Sequence, residues 1–330
     1  MAAGSAPADS TASGFEALRA GAAVSALDDR AALVVSGEDR TSFLQGMLSN
    51  EVAALAPGAG TRALLLTEQG RVVADLRVYV FEDVVRIDAP ADARSEVRAA
   101  LEKFVVADDV EFEDTADAGL ALRGPGATAV LGAAGVPDAA DREEGAHWPV
   151  EIAGVPARLS RADDLGVAGF HLWCEPSGRD TLRRALEEAG AESVEAEVLE
   201  IQRVVAGVGR LGSEFGRETL APEAPSLEPA ISHQKGCYLG QEVVERIASR
   251  GHINWRVVPV RTKAPIAVGD VVRSDENEVG RVTSVARRPD DGSFWGLARL
   301  RAARSDAGTE LTIANGAGDH AAEVVAPAPK

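Results

Sequence analysis

Lys235-Gly236-Cys237-Tyr238-Leu239-Gly240-Gln241-Glu242 is the stretch from which the rest of this chain is best read. It sets one of only two cysteines beside a lysine, between glycines, just ahead of a helical pattern. Two glycines so close to a thiol point to a sharp turn or a close approach of backbone. Gln241 to Ile247 reads as a helix, which places Cys237 near a helix N-terminus. Cations and helix N-termini both favour a thiolate. A buried, inert cysteine is the competing reading, because free cysteine is among the most buried residue types.

Outward from the octet, short elements follow one another. Residues 32–36 read as a buried strand, and Ser36 or Asp39 can cap a helix running to about Leu55. Arg62–Thr67 and Arg71–Phe81 read as a hairpin around Glu68-Gln69-Gly70, with Val84–Asp88 as a further strand. A helix over 92–104 and a strand at 110–113 complete a β-α-β-β-α-β order with one added strand, the ferredoxin-like split pattern. The order recurs more weakly: strand 119–123, helix 127–134, strands 150–152, 157–160 and 169–174, helix 179–189. A third helix is expected over 194–205. Residues 207–234 hold three prolines and few periodic apolars, and a loop that long is usually functional or disordered. After Gly251, six short alternating strands predict a small antiparallel barrel or sandwich.

The fold class expected is therefore α+β: two ferredoxin-like units and a C-terminal antiparallel β-barrel. The expected division is a disordered tail (1–14), a first α+β unit (15–115), a second carrying the octet (116–251) and the barrel (252–330), with the first two units free to interleave.

The octet resembles the Lys-Gly-Cys-Tyr-x-Gly-Gln-Glu motif of the YgfZ family of folate-binding proteins. These are relatives of the glycine-cleavage T-protein (aminomethyltransferase) that support iron–sulfur cluster assembly or repair. The T-protein branch has no cysteine at this place. The resemblance extends to Asp39–Asn50 with Phe43-Leu44, to Gly70-Arg71-Val72-Val73-Ala74-Asp75, and to Glu278-Val279-Gly280-Arg281-Val282-Thr283-Ser284. It implies three domains in a ring around a central channel, and tetrahydrofolate or a one-carbon derivative as ligand. It also implies transient iron–sulfur client or assembly proteins as partners.

Tetrahydrofolate needs paired hydrogen bonds for its pterin, an apolar wall for its aryl group and cations for its glutamate tail. By this resemblance Cys237 is the working thiol with Lys235 beside it. Asp75, Arg203, Tyr238, Gln241, Glu242, Arg246 and Arg250 are the candidate folate contacts. Glu242 and Arg246, four residues apart, also suit an ordinary helix-surface pair. In the T-protein branch a glutamate at a helix end grips the pterin; the matching position here is Val205. The residues do not decide between an iron–sulfur factor, a folate-dependent aminomethyl or one-carbon transferase, and a non-enzymatic folate-binding scaffold.

Bulk properties narrow the field. Net charge is 34 − 52 = −18, which argues against non-specific nucleic-acid or anionic-membrane binding. No long apolar run suggests a transmembrane helix. Two distant cysteines predict no disulfide framework, and a reducing cytoplasm is the expected compartment. The five histidines show no metal-ligand spacing, and two cysteines cannot hold an iron–sulfur cluster needing about four ligands, so no resident metal is expected.

Overall fold

The computed structural model of the chain describes residues 7–251, 253–316 and 318–327. It is an α+β protein with a closed six-stranded C-terminal barrel. In chain order the first elements are α1 (Pro7–Ala20), β1 (Ala23–Ala26), β2 (Arg30–Ser36), α2 (Arg40–Met47), β3 (Gly60–Leu66), β4 (Val72–Val80), β5 (Val85–Pro90), α3 (Arg94–Glu102) and β6 (Glu111–Asp114). Then come β7 (Ala118–Arg123), α4 (Ala127–Ala133), β8 (His147–Ile152), β9 (Val155–Arg161), β10 (Gly169–Cys174), α5 (Arg179–Glu188), β11 (Glu192–Ser193) and α6 (Ala196–Val205). After a long segment follow α7 (Gln241–Arg250) and six strands: β12 (Trp255–Thr262), β13 (Val271–Ser274), β14 (Asn277–Arg287), β15 (Phe294–Arg301), β16 (Glu310–Asn315) and β17 (Gly318–Val324).

The first sheet is ordered β3-β4-β5-β2-β6, the split pattern with β3 added at the edge. The second is ordered β8-β9-β10-β7-β1-β11, the same sequence of roles with β1 inserted. That insertion interleaves the units: a strand N-terminal to the first sheet sits inside the second, antiparallel to β7 and parallel to β11.

Two expectations are corrected here. Residues 7–14 are not a disordered tail but the start of α1, and residues 1–6 lie outside the described residues. The helix is anchored by Phe15 and Leu18, both fully buried against α6. Each is worth about 1.5–3 kcal/mol of apolar burial. Likewise α2 stops at Met47, not near Leu55. The Gln45 carboxamide oxygen accepts the Val52 and Ala53 amides, so the chain after α2 folds back on it. Asp39 stands at the N-cap position without capping, its carboxylate accepting the Asp109 amide instead.

Alternation along the strands sorts each sheet into two faces. Leu33, Val35, Ala63, Leu65, Leu76, Val78 and Ile87 turn toward α2 and α3 and form the first core. Val24, Leu120, Leu122, Leu159, Phe170 and Leu172 pack with α4 and α5 in the second. The opposite faces of the two sheets meet each other. The residues of that junction are largely polar.

The segment 207–234 covers the remainder of the first sheet's polar-side face. Phe215, Ala221, Ala224, Leu227 and Ala230 pack on Leu64, Leu66 and Val72. The barrel, closed by β12 pairing with β17, docks through Val257, Trp295 and Leu297 onto α6. No helix among the described residues is long and apolar enough to cross a membrane.

Candidate functional site

The octet is clipped to the C-terminal end of α2. A helix end leaves carbonyls without partners, and here the octet supplies them. Lys235 Nζ donates to the carbonyl oxygens of Gln45 (2.7 Å), Leu48 (2.6 Å) and Asn50 (2.8 Å). The Leu239 amide donates to Gly46 O at 3.0 Å. Just upstream, the Ser232 amide donates to Ser49 O, and Ser49 Oγ donates to Ala230 O. Burial pulls the Lys235 ammonium down to about 8. An ammonium has three protons, and all three are committed to carbonyls.

At the other end of the octet, Gly240 has φ +82°, and a Cβ there would sit 2.4 Å from Thr67 O. Only glycine lets the octet close against the β3–β4 hairpin.

Cys237 is exposed on this fixed platform, with Gly236 also exposed beside it. Tyr238 turns inward instead: it is buried, its ring lies 5.4 Å from Lys235 Nζ, and burial pushes it up to about 12. Its hydroxyl has no partner among the described residues. Gln241 is half-buried at the start of α7, while Glu242 and Arg246 are exposed and form no ion pair within 4.0 Å among the described residues. The Arg250 side chain lies outside the described residues.

Arg203 and Asp75 lie elsewhere. Arg203, in α6, is buried and saturated: its guanidinium donates to Glu200, Glu214, Val208 O and Ser284 Oγ. It ties α6 to the barrel and has no donor left for a glutamate tail. Asp75, on β4, is a quarter exposed and accepts from Arg30 at 3.2 Å. Val205 is buried among Phe15, Val257, Trp295 and Leu297, so the position matching the resembling family's pterin-gripping glutamate faces hydrocarbon.

The inter-sheet layer holds what the sequence reading did not anticipate. On β4, Asp75, Arg77 and Tyr79 share one face, and Arg62 on β3 stands opposite Arg77. Arg77 is 7% exposed and donates to Glu144 (2.8 Å) and Asp163 O (3.0 Å). Facing them, Arg123 grips Asp164 with two bonds of 2.6 and 2.9 Å, and His171 meets the same carboxylate at 2.9 Å. Against the cost of burial, Arg123 and His171 hold Asp164 well below the usual carboxylate range. Tyr79 packs edge-on to Trp173 at 4.7 Å and accepts from Ser160 Oγ at 3.1 Å.

Arg62 differs from its neighbours. It makes one hydrogen bond, to Ser226 O, and no ion pair among the described residues. Burial, reinforced by Arg77, draws it below its ordinary value. Nearby, Gln202 donates to Leu165 O, while its Oε1 and His171 Nδ1 are buried without partners. Buried polar atoms normally find partners. Arg62, which reaches segment 207–234 through Ser226 O, and the orphaned Gln202 Oε1 and His171 Nδ1 are thus polar groups of β3, α6 and β10 with bonding capacity left over. Among the described residues no group of three or more His, Cys, Asp or Glu is placed to hold a metal ion.

Alternation on β4 was the available signal for Arg77, since Val78 and Val80 beside it read as buried. The partners Glu144, Arg123, Asp164 and His171 carry no local signal.

Two family models match the chain: the GCVT N-terminal domain over residues 5–235 and the glycine cleavage T-protein C-terminal barrel domain over residues 256–329. Similar curated proteins include an aminomethyltransferase of Thermus thermophilus, 31% identical over 78% of this chain and 73% of that protein. Another, from Geobacillus kaustophilus, is 30% identical over 90% of this chain and 84% of that protein. A putative chloroplastic transferase of Arabidopsis thaliana is 24% identical over 84% of this chain, which spans only 65% of that protein's length. The crystal structure of glycine cleavage system aminomethyltransferase T from Bartonella henselae superposes with a TM-score of 0.84 at 22% identity, covering 96% of this chain and 88% of that one.

Proposed function

The chain belongs to the glycine-cleavage T-protein family, and from that premise we propose that it is a reduced-folate-binding protein of the YgfZ type that works through the Cys237 thiol. The observation that carries this reading is the exposed thiol on a clip whose lysine gives all three of its protons to carbonyls. An octet whose lysine, tyrosine and second glycine are spent on holding shape leaves one reactive group turned outward.

The folate is supported by family membership and by the inter-sheet seam. Arg62, Asp75 and Gln202 would meet the pterin and its substituents, with segment 207–234 as the apolar wall. When bound, tetrahydrofolate supplies ring and side-chain nitrogens able to carry a one-carbon unit. The chain's own residues hold it: Arg30 fixes the Asp75 carboxylate, and Arg77 with Glu144 fixes the wall behind Arg62. The client proposed is an iron–sulfur enzyme, met transiently at the surface that bears Cys237.

A second reading, folate-dependent aminomethyl transfer, is the one the names of the similar proteins support most directly. It places the chemistry at Asp75 instead of Cys237. Val205, buried in hydrocarbon, is the observation against it.

Complementation of a deletion strain separates the two. Cys237→Ala is expected to bind tetrahydrofolate like wild type in calorimetric titration, yet fail to restore cluster-dependent enzyme activities. Full restoration by that variant would overturn the thiol reading. Turnover of an aminomethyl donor that survives Cys237→Ala and is lost in Asp75→Asn would establish the second.

A further inference from the structure

The barrel is closed, but the two open sheets leave edges, and all except one are guarded. Leu48 bridges to Leu65 on β3. β8 carries Pro149, which has no amide to offer. β11 is two residues long. The remaining edge strand, β6, pairs with β2 alone. An unpaired edge is a template for another strand.

The register fixes what β6 presents. The Thr115 amide donates to Ala32 O, so Glu113 and Glu111, two and four residues back, also turn their backbone groups to β2. Bonding alternates along an antiparallel strand. The amides and carbonyls of Phe112 and Asp114 therefore point away from the sheet, and among the described residues nothing bonds them.

A groove of about 360 Å³ runs along this edge, between β6 and the C-terminal end of α3. Its α3 side is apolar: Val105 and Val110 line it with Phe112, and Val106 next to them is 90% exposed. Phe112 enters the first core, so Glu111 and Glu113 take the opposite face, where both are exposed. Neither has an ion pair or hydrogen bond among the described residues. The rim as a whole is acidic, with Glu102, Asp108, Asp109, Glu111, Glu113 and Asp114 against Arg94, Arg98 and Lys103. Arg98 is held by Glu102 at 2.8 Å, and Arg94 lies 3.6 Å from Asp114. Glu38 and Asp39 adjoin Asp109, while Arg40 turns to Gly37 O and Glu82 O, so the balance stays acidic. A second copy of the chain would set these carboxylates against their own kind, which weakens a strand pair.

We propose that the free edge of β6 accepts an extended segment of a partner protein in which apolar and cationic residues alternate, as a sixth strand of the first sheet. Main-chain bonds supply such pairing, and alternate side chains make it specific. The apolar residues of the segment meet Val105, Val110 and Phe112, and its cations meet Glu111 and Glu113.

The full chain is titrated with three acetylated, amidated peptides: Lys-Val-Lys-Val-Lys-Val-Lys, the grouped Lys-Lys-Val-Val-Val-Lys-Lys, and Glu-Val-Glu-Val-Glu-Val-Glu. Salt is kept at about 0.15 M, which screens attraction beyond about 8 Å. The alternating cationic peptide is expected to saturate, with the other two weaker by about tenfold or more. Its binding should slow solvent exchange of the Phe112 and Asp114 amides, read by NMR. Glu111→Gln combined with Glu113→Gln is expected to weaken it by about three- to tenfold. No saturation, equal binding of either control peptide, unchanged exchange at Phe112, or unchanged affinity in the double variant would each overturn the proposal. So would a dimer of the chain, seen in sedimentation, that the peptide dissociates. The peptide series and the exchange measurement use the wild-type chain, so they decide whether or not the variant folds.

Discussion

At the residue scale, Lys235 and Cys237 divide the octet's labour. Lys235→Met removes three charge-assisted bonds to buried carbonyls and leaves those carbonyls unpaired. Urea unfolding is expected to show a loss of about 2–4 kcal/mol. Cys237→Ala, at an exposed position, should stay within about 0.5 kcal/mol of wild type. His147 offers a pH test. Its Nδ1 accepts from Arg158 and its Nε2–H donates to Val80 O, a neutral imidazole bonded on both sides. Burial, with Arg158 adding to it, pulls it to about 4. The unfolded chain therefore binds a proton that the folded one refuses, and the stability is whole above about pH 6.5 and lost as pH falls toward 4. His147→Gln should remove part of this acid loss, of order 1–2 kcal/mol, when unfolding is compared at pH 7 and pH 4.5. His171, also depressed by burial, keeps its share of the slope in the variant.

At the scale of elements, α1 shows how packing makes a helix that composition conceals. Its Ala-, Ser- and Gly-rich start reads as a tail, and short helices are marginal alone. Phe15 and Leu18, inserted against α6, are what hold it. Phe15→Ala should therefore cost about 3–5 kcal/mol in chemical unfolding, more than a dispensable tail could. The strands were read well wherever they ran long enough to alternate: Gly169–Cys174 and the six barrel strands fall where periodicity put them. β1 and β11, with four and two residues, are too short to show a period. The end of α2 was misplaced for another reason. Its apolar pattern continues through Leu48, Val52 and Leu55, but the Gln45 side chain and the Lys235 clip satisfy the backbone outside a helix.

At the scale of the whole molecule, one buried carboxylate joins three bodies. Glu214, in segment 207–234, accepts from Arg203 on α6, from the Arg210 amide, and from Ser284 Oγ on the barrel. Glu214→Gln leaves the buried Arg203 one charge short and should cost about 3–5 kcal/mol. Ser284→Ala, which removes a hydroxyl that accepts from Arg203 and donates to Glu214, should cost less, about 1.5–3 kcal/mol. Both are read from urea unfolding. The sequence by itself determined the repeated strand–helix order and the alternating barrel strands. These are local patterns, written within one turn or one pleat. Only the tertiary structure decided that β1 enters the second sheet, and that the polar faces of two sheets meet. It alone decided that Lys235 is spent on carbonyls 185–190 residues away while Cys237 looks outward. Periodicity reports which side of a strand is buried but not against what, and a hydrogen bond's partner is set by where distant chain returns.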